Sequence, residues 1–234
     1  MTKKTIGIIG GMGPLATVKL FERIVTNSGA ASDQEHPRVL IDNNTNISDR
    51  TGFILGRGED PVPELIKSAV GLEKMGADFL IMPCNTAHFF LKEISGSINI
   101  PFIDMLEETL KEASKAVSDG RIGLLATDGT LQSGIYDKRA VDHGLKLIHP
   151  KPEEQAKIMK FIYSIKGGDL KGHSEGFQEI VTRMADEGLK AAILGCTELS
   201  VAIDYIELDK RITYLDPLTI IARKALFESG CVTK

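Results

Sequence analysis

Phe79-Leu80-Ile81-Met82-Pro83-Cys84-Asn85-Thr86-Ala87-His88 is an apolar run of buried-strand type that stops at a proline, a cysteine and two small polar residues. In an open α/β sheet the C-terminal strand ends face the ligand crevice, and the turn into the next helix offers unpaired backbone N–H groups to an anion. The same device returns downstream as Ala191-Ala192-Ile193-Leu194-Gly195-Cys196-Thr197-Glu198-Leu199. Two of the three cysteines therefore end matching strands, and the third is Cys231.

Outward from these two stretches the chain reads as a duplicated set of βα units. Ile6-Gly7-Ile8-Ile9-Gly10 is an apolar strand leading through Gly11-Met12-Gly13-Pro14 into a helix, with Pro14 suited to its first turn. Arg38 to Ile41 is the next strand, ending in Asp42-Asn43-Asn44. The polar, glycine-containing segment Ile47 to Gly58 reads as a long loop or lid, and a helix from Pro61 to Met75 precedes the Cys84 strand. After a short strand at Pro101 to Asp104 and a helix from Met105 to Val117, Arg121-Ile122-Gly123-Leu124-Leu125-Ala126-Thr127 restates the first strand and turn. Gly7 lies 77 residues before Cys84 and Gly123 lies 73 before Cys196, so the halves match within a small indel. The expected fold is α/β, with two pseudosymmetric Rossmann-like lobes, each a mostly parallel sheet flanked by helices. The expected domains are residues 1–120 and 121–234, with a closing helix at about 217–228 packing back across the lobes.

With 42% apolar and 26% charged residues in 234, the chain is an ordinary globular one rather than a disordered or fibrous one. A net charge of −4 with spread basic residues gives no electrostatic reason for a nucleic acid or an anionic membrane as partner, which leaves small molecules. The N-terminal apolar stretch is too short for a signal peptide, and no run approaches a membrane span of roughly 20 residues. A cytoplasmic protein that keeps its cysteines as thiols is the expectation.

Gly11-Met12-Gly13-Pro14-Leu15-Ala16 also satisfies G-x-G-x-x-A after a strand, with Asp42 where a ribose-binding acid could sit, so a nicotinamide or flavin cofactor is a rival reading. It leaves the paired cysteines unexplained. Those cysteines could be small buried hydrophobes. The functional reading is that helix N–H groups and dipole lower each thiol pKa and make a thiolate available as base or nucleophile. Cys84 with His88 is only a pair and no Cys-x-x-Cys exists, so no metal site is expected. Two thiols on opposite faces of one carbon suit removal of a proton by one and delivery by the other, which inverts a stereocentre. Asn85, Thr127 and Thr197 are placed to donate to the carboxylate where charge accumulates.

The stretches at 7–14, Pro83-Cys84-Asn85-Thr86-Ala87-His88 and Gly195-Cys196-Thr197-Glu198-Leu199 resemble three signature stretches of the aspartate racemase branch of the aspartate/glutamate racemase family. The resemblance spans essentially the whole chain. It implies pyridoxal-independent chemistry without a cofactor, an active site between two lobes, an amino-acid substrate and a homodimer. It implies that Cys84 and Cys196 are the catalytic pair, that Arg50 and Lys166, on loops preceding the cysteine strands, grip the distal carboxylate, and that Met12, Asn85, Thr86, Thr127 and Thr197 contact substrate. Asn43, His88 and Glu198 are auxiliary candidates, Glu198 as a residue that orients or poises Cys196 and His88 with a capping role as its rival. Met12-Gly13 and Glu198 stand where the glutamate racemase branch has an acidic or serine residue and a histidine, which favours interconversion of L- and D-aspartate, although some relatives of the branch take glutamate or other amino acids. A nicotinamide oxidoreductase and a non-catalytic carboxylate-binding module are the rivals from other classes.

Overall fold

A computed structural model describes residues 3–233. It forms two compact units, Met1–Met105 with Leu218–Lys234, and Leu106–Pro217. The first is built on β1 (Ile6–Gly10), β2 (Val39–Asn43) and β3 (Phe79–Ile81) in the order β2-β1-β3, all parallel. The second carries β4 (Arg121–Ala126), β5 (Lys146–Ile148), β6 (Ala191–Gly195) and β7 (Thr213–Leu215) in the order β5-β4-β6-β7, again parallel. The first three strands of each sheet thus repeat one order, and β7 extends the second.

Parallel strands need a crossover, and helices supply it. Helix Pro14–Asn27 joins β1 to β2 and helix Val62–Lys74 lies between β2 and β3. In the second unit helices Asp128–Ser133 and Ile135–Ala140 follow β4, and helices Pro152–Lys166 and Ser174–Asp186 precede β6. Proline opens helices Pro14–Asn27 and Pro152–Lys166, where its missing N–H costs nothing. Every residue of β1, β3 and β6 is buried, which explains why they read as continuous apolar runs rather than alternating ones.

Two glycines hold equivalent places on the central strands. A Cβ at Gly7 would meet Leu80 Cδ2 at 2.4 Å and Ala77 Cβ at 2.9 Å, and one at Gly123 would meet Leu189 Cδ2 at 2.9 Å and Ala192 Cβ at 3.2 Å. Ala77 and Leu189 are 112 residues apart, as are Leu80 and Ala192, and Cys84 and Cys196. The duplication therefore reaches down to which side chain fills the space beside each central-strand glycine.

Several elements differ from the sequence reading. Pro101 to Asp104 makes a single parallel bridge, Leu80 with Phe102, rather than a strand. The segment after β2 is not a plain loop: Asp49 accepts the Gly52 N–H at 2.5 Å and caps a short helix, Arg50–Ile54. Lys166, expected on a loop, is the last residue of helix Pro152–Lys166, where a cation suits the dipole. The chain passes between the compact units near residues 105 and 217. From Leu218 on, helix Pro217–Ser229 belongs to the first unit; Lys4 donates to Ser229 O at 3.0 Å at its end, and beyond it Gly29 donates to Val232 O at 2.8 Å.

Glycine roles separate experimentally. Gly11 has φ +90° and a Cβ there would come within 2.4 Å of the Asn44 backbone, whereas Gly71, inside helix Val62–Lys74, has open space around it. Gly11→Ala is expected to destabilise by about 2–3 kcal/mol and Gly71→Ala to stabilise by about 1 kcal/mol in urea unfolding.

Candidate active site

In the first unit the strand β3 stops at Ile81, and the chain turns through Met82-Pro83-Cys84 with the Cys84 N–H donating to Met82 O at 2.9 Å. All of residues 79–88 are buried, Asn85 and Thr86 included. The Cys84 turn is braced by His88. Its Nδ1 lies 2.8 Å from Cys84 O, and the Met105 N–H donates to its Nε2 at 3.2 Å. Because a backbone N–H can only donate, Nε2 accepts and Nδ1 carries the proton that bonds Cys84 O. His88, also 3.9 Å from Asp104 Oδ1, thus ties the thiol turn to the start of helix Met105–Ala116. The capping role is the one the geometry displays.

Arg50 is not the surface cation its residue type commonly becomes. It is 7% exposed, and its guanidinium donates to three carbonyls: Nη1 to Ile47 O at 3.2 Å and Ser48 O at 3.0 Å, and Nη2 to Met12 O at 3.1 Å. Its Nε is buried without a hydrogen-bond partner. A buried guanidinium held by carbonyl dipoles, with no carboxylate at ion-pair distance among the described residues, keeps its charge uncompensated. Met12, Ile47 and Cys84 pack in one hydrophobic cluster, which brings the arginine's anchors and the thiol to the same end of the first sheet. Asn43, the last residue of β2, pairs in register with Gly10 and is exposed.

The glycine turn is tied to the helix that follows it. Gly11 N–H donates to Thr17 Oγ1 at 3.0 Å, and that hydroxyl donates to Gly13 O at 3.2 Å. Thr17 also fills the space beside Gly10, and Asn44 presses against Gly11. Pro14 brings no N–H to the first turn and Thr17 takes that of Gly11, so two positions of the fingerprint offer no donor to a pyrophosphate. Thr17 was missed by sequence reasoning; its only signal there was a polar residue on the apolar face of the first helix.

In the second unit Thr127 caps helix Asp128–Ser133, accepting the Thr130 N–H at 3.2 Å with its Oγ1 3.0 Å from the Thr130 hydroxyl. Gln155, also missed, donates to Ala126 O at 3.0 Å and to Asp128 Oδ1 at 2.8 Å, fixing the end of β4. Cys196 is the N-cap of helix Thr197–Ala202, and residues 191–200 are all buried. The Cys196 thiol donates to Glu198 Oε2 at 2.9 Å, while Glu198 Oε1, buried and without a hydrogen bond, faces the Lys166 ammonium at 3.5 Å. Thiol, carboxylate and ammonium therefore form a chain at the C-terminal end of β6.

The expectation that the helix N-terminus lowers the thiol pKa fails at Cys196. Burial pushes the thiol well above its ordinary value, and the charge of Glu198 adds to this in the same direction. The Lys166 ammonium and the Glu198 backbone N–H pull it down, and they do not prevail. Among the described residues no three His, Cys, Asp or Glu side chains gather to hold a metal ion, and no helix is long and apolar enough to cross a membrane.

Residues 9–225 match the family model described as Asp/Glu/Hydantoin racemase. The chain is 30% identical over 232 residues to the broad specificity amino-acid racemase RacX of Bacillus subtilis (strain 168), covering 94% of this chain and 96% of that one. A glutamate racemase of Desulforudis audaxviator is 29% identical over 175 residues, 72% of this chain and 63% of that protein. Among solved structures, Picrophilus torridus aspartate racemase superposes with a TM-score of 0.88 at 32% identity, covering 99% of this chain and 96% of the other.

The histidine brace has a measurable worth. His88→Leu leaves a buried carbonyl and a buried N–H unpaired, and is expected to cost about 2–4 kcal/mol in urea unfolding.

Proposed function

We propose that this chain, which belongs to the Asp/Glu/Hydantoin racemase family, is a cofactor-independent racemase that accepts aspartate and, beyond it, other amino acids. Breadth is favoured over an aspartate-only enzyme by the company the chain keeps. A broad-specificity amino-acid racemase, an aspartate racemase and a glutamate racemase stand at 29–32% identity to it.

The observation that carries the mechanism is the pair of thiols at equivalent strand ends, each followed at once by buried polar residues. In the proposed reaction one cysteine acts as thiolate and takes the α-proton: its S–H bond forms as the Cα–H bond breaks, and the electron pair passes to the carbanion conjugated with the substrate carboxylate. The other cysteine, as thiol, gives its proton to the opposite face, and its own S–H bond breaks as the new Cα–H bond forms. Asn85, Thr86 and Thr197, buried beside the two thiols, are the donors assigned to the charge that develops on the carboxylate. Arg50 is assigned to the side-chain carboxylate of an acidic substrate, because a buried guanidinium without an acidic partner and with an open Nε is a site for an external anion. A homodimer belongs to the same proposal and rests on the family resemblance; a cytoplasmic location belongs to it too and rests on the sequence reading above.

Incubation in deuterated water without pyridoxal phosphate tests the reading directly. Optically pure aspartate should yield the other enantiomer with deuterium at Cα, and a panel of neutral and acidic amino acids should show more than one substrate. Folded protein that exchanges no α-proton from any of them would reject it. Cys84→Ala and Cys196→Ala should each lower the racemisation rate by roughly 10²–10⁴-fold. Arg50→Lys should raise KM for aspartate about tenfold or more while leaving KM for a neutral substrate unchanged; an equal loss for both would make Arg50 a structural brace.

A further inference from the structure

The two cysteine turns are matched in position but differ two residues further along. In the first, that place is held by Thr86, an uncharged side chain; in the second it is held by Glu198, a carboxylate that is 4% exposed and bonded to the Cys196 thiol. Burying a carboxylate beside a thiol serves no packing purpose that a threonine would not serve at lower cost, since the charge must then be matched from outside the helix. Lys166, at the end of helix Pro152–Lys166, matches it, with Nζ 3.5 Å from the oxygen that the thiol does not use. We infer that Glu198 is a positioning residue for Cys196: its carboxylate, ion-paired to Lys166, holds the proton on the Cys196 sulfur in the resting enzyme.

The chemistry stems from charge placement. A carboxylate accepting an S–H bond stabilises the thiol and repels the thiolate, so it opposes loss of the proton until a stronger base, the substrate carbanion, takes it. When that happens the Cys196 S–H bond breaks and the new Cα–H bond forms, leaving Cys196 as thiolate beside Glu198 and the proton taken from the substrate on Cys84; the pair is reset when Cys84 releases that proton to solvent and Cys196 takes one up, or when the reverse reaction returns both. The charged groups acting on Cys196 within its unit are Glu198 from its own helix and Lys166 from helix Pro152–Lys166, with opposite effects on the thiol. Cys196 also belongs to an apolar cluster with Leu125, Ile165 and Leu199. The Lys166 ammonium, which the family resemblance assigns to a substrate carboxylate, thus has a second task that does not require substrate. The delivery of that proton to a substrate rests on the racemase reading; the protonation of Cys196 does not.

The test is a pH titration of the full chain carrying carbon-13 at cysteine Cβ, followed by NMR with the three cysteines resolved by single Cys→Ser variants. Glu198→Gln keeps the shape, removes the charge, and is expected to lower the Cys196 midpoint by about one pH unit or more, a larger shift than at Cys84. Lys166→Met removes the opposing charge and is expected to raise it. A Cys196 midpoint that stays put in Glu198→Gln, or rises, overturns the inference, as does a fall in Lys166→Met. Should Glu198→Gln fail to fold, Lys166→Met decides alone. Because no substrate is present, a chain that shows these opposite shifts yet exchanges no α-proton would sink the racemase reading and leave the Cys196 assignment standing, and the reverse pattern would separate them equally well.

Discussion

Parallel pairing is the constraint on which the rest of the molecule depends. When every strand of a sheet runs the same way, every C-terminal strand end lies on one edge, and every connection must leave that edge through a turn into a helix. In the first unit this puts the Met12 turn after β1, Asn43 at the end of β2 and Cys84 after β3 on a single edge. In the second it does the same for Thr127 after β4 and Cys196 after β6. The close approach of neighbouring elements to the central strands, enforced by glycine at positions 7 and 123, sets how near those ends come. Chemistry-bearing residues converge because the backbone hydrogen-bond pattern leaves them nowhere else to go.

What was legible in the sequence divides along that line. Strand ends, the duplicated order and the placing of both cysteines come from apolar runs and their punctuation, which are local signals, and the structure has all of them. The burial of Arg50 was not legible, because it depends on carbonyls of Met12, Ile47 and Ser48 converging on it, and Met12 is 38 residues away. The glycine turn hid a related contact: its residues fit a nucleotide fingerprint, but the Gly11 N–H is taken by Thr17, six residues on. Lys166 could be placed only to within a turn, since a glycine pair marks a helix end to a residue or two. Glu198 was legible as a partner of Cys196, being two residues away; that Lys166 would close on it was not.

The direction of the Cys196 shift shows which electrostatic effect prevails when several act on one atom. A helix of six residues, Thr197–Ala202, presents at most the partial charge of a short dipole, about half an elementary charge at its N-terminus. Against it stand the loss of water around a sulfur that is 5% exposed and a full negative charge on a carboxylate oxygen at 2.9 Å. A rule that assigns low pKa values to cysteines at helix N-termini presumes that the dipole acts unopposed. Here burial of the sulfur, reinforced by a side chain on the first turn of the same helix, overrides it.

Glu198 in turn could not stand alone. A carboxylate removed from water costs several kcal/mol even after relaxation, and a cation near it offsets that cost only at close range. At 3.5 Å and an effective dielectric of about 20, the attraction to Lys166 is on the order of 5 kcal/mol, enough to make the burial sustainable and too little to make it a source of stability. Such an arrangement is explained by what it does to the neighbouring sulfur rather than by what it adds to the fold. In the first unit the corresponding place is taken by Thr86, and the buried cation, Arg50, is held by carbonyls instead of an acid. The duplication therefore supplied two equal strand ends, and the divergence of position 198 from position 86 gave Cys196 a buried carboxylate where the turn of Cys84 carries a threonine.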